Sequence, residues 1–148
     1  HRDLHSFPTR RSSDLPRTRL PHILARIAEI SAKHRVRIVN VAHAGDGNVH
    51  PILLFDERDK EEVARVLAAG EELLEECIHC GGSVTAEHGI GVEKRAFMSR
   101  LFGETDLASM AKVREAFDPA GRLNPGKLLP GSDGVQAART SPTRRALP

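Results

Sequence analysis

The chain has 148 residues, with 22 Lys and Arg against 20 Asp and Glu, a formal charge of +2. Residues 1–15 and 131–148 carry six arginines against three aspartates, so residues 16–130 stand at net −1 and give no electrostatic case for a nucleic-acid partner. No apolar run approaches the ~20 residues of a transmembrane segment, and two cysteines, Cys77 and Cys80, are too few for a disulfide framework, which favours a reducing, cytoplasmic setting.

The first fifteen residues, HRDLHSFPTRRSSDL, lack periodicity and a hydrophobic segment, so they are no signal peptide. They resemble the conceptual translation of a short-read sequencing adapter. They are set aside as an artefactual leader, and the authentic chain is expected to start near Pro16 as an N-terminally truncated fragment. Pro21 suits the first turn of a helix, and Leu20, Ile23, Leu24, Ile27 and Ile30 follow at helical spacing. VRIVNVAH, residues 36–43, is β-branched and short and reads as a strand; HPILLF, residues 50–55, reads as a second. Gly45-Asp46-Gly47-Asn48 between them supports a hairpin.

Residues 59–80 form a long amphipathic pattern on Val63, Val66, Leu67, Leu73, Leu74 and Ile78, weakened slightly at Gly70 and ended by Gly81-Gly82. SVTA, residues 83–86, reads as a third strand, and residues 92–101 as helical. Leu107, Met110, Val113 and Phe117 mark a last helix, with Thr105 or Asp106 as its cap. Residues 118–130 are turn-rich but ordered in character, and residues 131–148 read as a disordered tail. No internal repeat is present. The order predicts an α+β fold: a ferredoxin-like antiparallel sheet with helices on one face, followed by further helices. Such a small sheet wants one more strand, which belongs before Pro16.

The chemistry gathers in two stretches. In VAHAGDGNVHP, His43 and His50 end one strand and begin the next, so they face each other across the hairpin mouth and can converge on one ion. In GGSVTAEHGIG, Glu87 and His88 follow an apolar strand at a glycine-flanked corner. Two neutral imidazoles and a carboxylate suit Zn²⁺ or Mn²⁺ with positions left open for substrate oxygens. Glu87 and His88 share one site only if the chain turns there, and Gly89 permits it.

HAGDGNVHP, then GGSVTAEHGIG, then LNPGK together resemble the C-terminal domain of the FAD-linked oxidases, flavin-dependent 2-hydroxy-acid dehydrogenases of the glycolate oxidase and D-lactate dehydrogenase type. The likeness spans about residues 16–130 and includes the lead-in PRTRLPHILARIAEIS. It implies that His43, His50 and Glu87 hold a divalent metal and that His88 is the general base. It also implies that Asn124, with Glu87 and Asn48, lies toward the flavin. FAD is the implied cofactor and a small 2-hydroxy acid the implied substrate. The implied partners are a missing N-terminal FAD-binding domain, to which the C-terminal helices would return, and further oxidase subunits through which a cytoplasmic protein could meet a membrane peripherally. Val49 stands where the family usually has Leu.

Weaker signals read as structural. Cys77-Ile78-His79-Cys80 mimics a zinc or redox motif but stands alone at a helix end, as two ordinary helix cysteines do. His22, His34 and His79 read as surface histidines, and Lys94 and Lys127 either meet an anion or are solvated. The glycines of AGDGNVH precede a strand, which rejects a dinucleotide fingerprint, and no HExxH pair suggests a zinc hydrolase. The alternative to an enzyme part is a non-enzymatic ferredoxin-like metal-binding or interaction module. A histidine beside the metal carboxylate favours the enzyme.

Overall fold

A computed structural model describes residues 9, 10 and 13–131; most of the leader, and the tail beyond Gly131, fall outside them. The described chain divides after Gly89 into two units.

In the first unit a 3-10 turn, Arg17–Arg19, leads into α1 (Leu20–His34), with Pro21 in its first turn. Ile23, Ile27 and Ile30 recur at helical spacing and are all buried, while Leu24 falls off that line and is exposed. Arg35 adopts a left-handed conformation, and the Val36 amide donates to the Ser31 carbonyl at 3.1 Å while Ser31 Oγ donates to the Val36 carbonyl at 2.7 Å. This closure turns the chain into β3 (Arg37–His43), which pairs with β4 (Asn48–Leu54) as an antiparallel hairpin. Asp59 then caps α2 (Lys60–His79), accepting from the amides of Glu61 at 2.9 Å and Glu62 at 3.1 Å. Val66, Ala69, Gly70, Leu73, Leu74 and Cys77 form its buried line, and Leu67, one residue off it, is exposed. Gly81 ends the helix in a left-handed conformation, with the Gly82 amide on the Cys77 carbonyl and the Gly81 amide on that of Ile78, each at 2.9 Å.

Two short strands, β1 (Thr9–Arg10) and β2 (Ser13–Asp14), pair antiparallel with the free edge of β4. Thr9 meets Leu53, Arg10 Ile52, Ser13 Val49 and Asp14 Asn48, one continuous register. The extra strand position expected before Pro16 is thus filled by the segment set aside for its adapter-like sequence. A strand edge asks its partner chiefly for main-chain amides and carbonyls, which any non-proline residue supplies. Leu15 completes the join by entering the core.

β4 is therefore central, and the unit is α+β with α1 and α2 on one face. Val49 and Leu53 point into the core with Ile23, Ile27, Ile30, Val66 and Leu73. Alternation sends Asn48, His50 and Ile52 to the other face, beside Val39, Val41 and His43 of β3. Val39 and Val41, 48% and 49% exposed, mark that face as uncovered by the helices.

The expected strand over 83–86 is absent. Ser83 makes one ladder-like contact, its amide donating to the Asp14 carbonyl at 2.9 Å. Its hydroxyl then accepts from the Thr85 amide at 3.1 Å and donates to the Thr85 carbonyl. A hydroxyl that captures backbone two residues on bends the chain away from a ladder.

In the second unit the expected helix over 92–101 is broken into α3 (Gly91–Lys94), a 3-10 turn (Arg95–Phe97) and α4 (Met98–Leu101). α5 (Glu104–Phe117) starts earlier than Thr105 or Asp106 would allow, because extended Gly103 is the cap and Asp106 reaches back to its amide at 3.1 Å. Asp118 accepts from the amides of Arg122 and Leu123, each at 2.8 Å, and these donors hold its carboxyl below the ordinary range. No described helix is long and apolar enough to cross a membrane.

The seam between α1 and α2 is ionic at its rim. His34 Nε2 lies 2.7 Å from Glu72 and Lys33 Nζ 2.8 Å from the same carboxylate; His22 Nε2 lies 3.0 Å and Arg26 Nε 3.4 Å from Glu76. His22 and His34 are thus not the idle surface histidines that local sequence implies. Hydrogen bonding from His34, then Lys33, holds Glu72 below the ordinary glutamate range, and His22, then Arg26, does the same for Glu76. A carboxylate lowered on folding contributes stability that is full above its unfolded pKa of about 4.3 and lost as pH falls through the lower native value. The denaturant midpoint of the wild type should therefore drop as pH is taken from 5 toward 2, and the drop should be shallower in a Glu72→Gln, Glu76→Gln double variant. Parallel profiles would assign the acid sensitivity to other groups.

Candidate functional site

The hairpin loop, Ala44–Gly47, closes through the amides of Asp46 and Gly47, which donate to the His43 carbonyl at 2.9 and 3.1 Å. Gly47 is left-handed, and an added Cβ would sit 2.0 Å from the Leu15 carbonyl oxygen. The Leu15 amide donates to the Gly47 carbonyl at 3.0 Å, so the loop is pinned to the end of β2. Gly82 is equally confined: its Cβ would lie 2.5 Å from the Asp14 carbonyl oxygen. Asp14 and Leu15 thus hold both the hairpin loop and the segment leading to Glu87.

The register corrects one expectation. His43 pairs with Asn48 and His50 with Val41, so the two histidines are diagonal neighbours on one face, not directly opposed. Diagonal positions remain within reach of long and aromatic side chains. The rings stand edge to face, 5.4 Å between centroids and 86° between planes.

Glu87 Oε1 lies 3.7 Å from His43 Nε2 and 3.8 Å from His50 Nε2, and one ligand atom from each of the three falls within 4.8 Å of the others. Two metal–ligand bonds of about 2.1 Å span at most about 4.2 Å, so both histidine–glutamate separations fit one ion, and a small imidazole rotation brings in the last pair. His50 is buried, while His43 and Glu87 are half exposed, which leaves the site open on one side. The ring of His88 lies 5.3 Å from that of His50 at 38° and is exposed.

Asn48, only 4% exposed, donates through Nδ2 to Glu87 Oε1 at 2.6 Å. The reverse amide orientation would set two oxygens at that distance, so Nδ2 is assigned as the donor. Asn48 Oδ1 is then buried without a partner among the described residues, an acceptor left waiting beside the donor cluster. The structure thus brings together five residues that the sequence marks: His43, Asn48, His50, Glu87 and His88. Asn124 belongs to the second unit, exposed and left-handed in the turn after Asp118. The role of Asn48 in orienting Glu87 was hidden in sequence, because the partners are thirty-nine residues apart.

The chain matches the family described as "FAD linked oxidases, C-terminal domain" over residues 13–128. It is 46% identical over 116 residues to glycolate oxidase subunit GlcD of Escherichia coli (strain K12), an alignment covering 78% of this chain and 23% of that protein. Against glycolate oxidase subunit GlcD of Bacillus subtilis (strain 168) the identity is 38% over 115 residues, covering 78% and 24%. Against the probable mitochondrial D-lactate dehydrogenase of Danio rerio it is 33% over 115 residues, covering 78% and 23%. The chain spans about a quarter of the length of these relatives. It belongs to the C-terminal domain family of the FAD-linked oxidases.

Two glycines of the hairpin loop should respond unequally to substitution. Gly47→Ala combines left-handed strain with a main-chain clash and should cost roughly 2–4 kcal/mol. Gly45→Ala, with nothing within 4 Å of the added methyl, should stay within about 0.5 kcal/mol of the parent. Urea midpoints of the two variants check this. Asn48→Ala, which removes the hydrogen bond to the half-exposed Glu87, should cost roughly 0.5–1.5 kcal/mol in the same assay.

Proposed function

We propose that this chain carries the metal and substrate part of an FAD-dependent 2-hydroxy-acid dehydrogenase of the glycolate or D-lactate type. The observation that carries the reading is the convergence of His43, His50 and Glu87 beside the His88 ring, on the sheet face that α1 and α2 leave open. His43, His50 and Glu87 would hold a divalent ion, zinc or manganese; the donor set and the buried Oδ1 of Asn48, unpartnered among the described residues, suit one. When bound, the ion would supply a Lewis-acidic centre for the substrate's carboxylate and hydroxyl, and flavin a hydride acceptor.

The protein's own part is positioning and proton transfer. Oxidation of a 2-hydroxy acid to the 2-oxo acid removes a hydride from carbon and a proton from oxygen. A neutral imidazole accepts such a proton near pH 7. His88 takes it on a ring nitrogen and, being exposed, passes it to solvent. Asn48 fixes Glu87, and the hairpin fixes the two histidines, so the ligand set is arranged before substrate arrives. Asn124 would face the flavin. The FAD-binding part would lie in a further domain, and Val113, Phe117 and Leu123, exposed apolar side chains in and after α5, suit a partner surface. Two relatives are named as subunits, which supports association with further oxidase subunits.

Calorimetric titration of the chain with Mn²⁺, a hard ion with little affinity for sulfur, tests the ligand set; His43→Ala and Glu87→Ala should each lose the binding, and unchanged affinity in both would remove the site. The chemical role is tested by joining the chain to the FAD-binding domain of a glycolate oxidase relative and measuring flavin reduction in a single turnover. His88→Asn should slow reduction by about 10²–10⁴-fold with metal content unchanged. Loss of metal with His88 would make it a ligand, and an unchanged rate would place the base elsewhere.

A further inference from the structure

A second set of donor atoms converges where the last turn of α2 meets the first turns of α1. His22 Nε2, Glu76 Oε1 and Cys80 Sγ lie within 4.8 Å of one another. His22 Nε2 is 3.0 Å from Glu76 Oε1, and the Cys80 thiol donates to the same oxygen at 3.8 Å. Arg26 Nε takes the other carboxylate oxygen, Oε2, at 3.4 Å. The carboxylate is therefore divided: Oε2 serves the ionic seam, and Oε1 faces an imidazole and a thiol. Glu76 stands in the last turn of α2 and Cys80, four residues on, is its C-cap, so their side chains share a face, and His22 comes from the facing helix.

We propose that His22, Glu76 and Cys80 bind a thiophilic divalent cation of the zinc class, clamping the start of α1 to the end of α2. Sulfur, imidazole nitrogen and carboxylate oxygen are the three ligand types that zinc takes, at about 2.3, 2.0–2.1 and 2.0–2.2 Å. Three protein ligands leave one coordination position, and His22, about half exposed, stands at the side where water can fill it. Without an ion, burial and then the Glu76 carboxylate push the Cys80 thiol up, so the sulfur holds its proton more tightly. Binding displaces that proton to solvent: the S–H bond breaks, the sulfur–metal bond forms, and no oxidant or reductant is needed. The site shares no residue with His43, His50 and Glu87 and does not depend on what they bind.

Cobalt(II) titration of the intact chain, followed by absorption, separates the two clusters. Only a thiolate ligand produces a sulfur-to-cobalt charge-transfer band in the near ultraviolet, and the hairpin cluster contains no sulfur. In His43→Ala, which lacks the hairpin cluster, the band should saturate with one equivalent and be displaced by zinc; in the parent it should persist with Cys77→Ser and vanish with Cys80→Ser. His22→Asn, at an exposed position that leaves the core intact, should raise the cobalt dissociation constant by at least about tenfold. In a His43→Ala background, which removes the hairpin cluster, zinc should raise the Tm, and adding Cys80→Ser should abolish that rise. Cobalt binding without the band, a band that survives Cys80→Ser, or full affinity in His22→Asn would each overturn the proposal.

Discussion

The arrangement of the site depends on one close packing of main chain. Asp14 and Leu15 pass between the hairpin loop and the segment after α2, touching both through backbone atoms. Leu15 exchanges contacts with Gly47, and the Asp14 carbonyl accepts from Ser83 while facing Gly82. One side chain at position 47 or 82 would push these strands apart, because the opposing atoms are carbonyl oxygens that cannot rotate away. This junction sets His43 and His50, on one side, at the distance from Glu87 and His88, on the other, that two metal bonds can bridge. Apart from the Leu15 side chain in the core, its contacts at Asp14 and Leu15 are mainly main-chain contacts, which explains how a segment with an adapter-like sequence occupies a strand position at the sheet's free edge.

Parts of this were legible in the sequence for local reasons. The isoleucines of α1 and the valine and leucine line of α2 recur at helical spacing, and Gly81-Gly82 announces the end of α2. The hairpin was readable because β-branched residues flank a loop of turn formers. Register was not, since a strand pattern identifies its faces but not which residue meets which across the turn, and the observed pairing set the histidines diagonally. The misread strand at 83–86 has a similar cause: Val84 is buried, as a strand residue would be, but the Ser83 hydroxyl wins the Thr85 amide from any ladder partner. His22 and His34 looked idle because their partners, Glu76 and Glu72, lie more than thirty residues away.

The sheet divides the labour between its faces. The Val49 and Leu53 face meets α1 and α2 and supplies the apolar burial on which the unit rests. The Asn48 and His50 face is free of those helices, so polar side chains can gather there without displacing core packing. His50 and Asn48 are nevertheless buried, and Asn48 uses its amide to hold a half-exposed carboxylate. A rigid strand thus orients a ligand that arrives from a loop, which is the arrangement a site needs when one of its members comes from less regular backbone.

The two donor clusters differ in what they would do to the charge of an ion. His43, His50 and Glu87 offer two neutral rings and one carboxylate, so a divalent ion there would keep about one unit of positive charge. That residual charge and the open side suit an anionic partner such as the carboxylate of a hydroxy acid. His22, Glu76 and Cys80 offer a carboxylate and, once deprotonated, a thiolate, so the same ion would be neutralised by its own ligands. A neutralised ion between two helices has little pull on an external anion and acts instead through the positions of its ligands. The second cluster lies at the end of α2, immediately before the Gly82 contact that leads to Glu87. An ion there would stiffen the approach to the first site while leaving the chemistry to it.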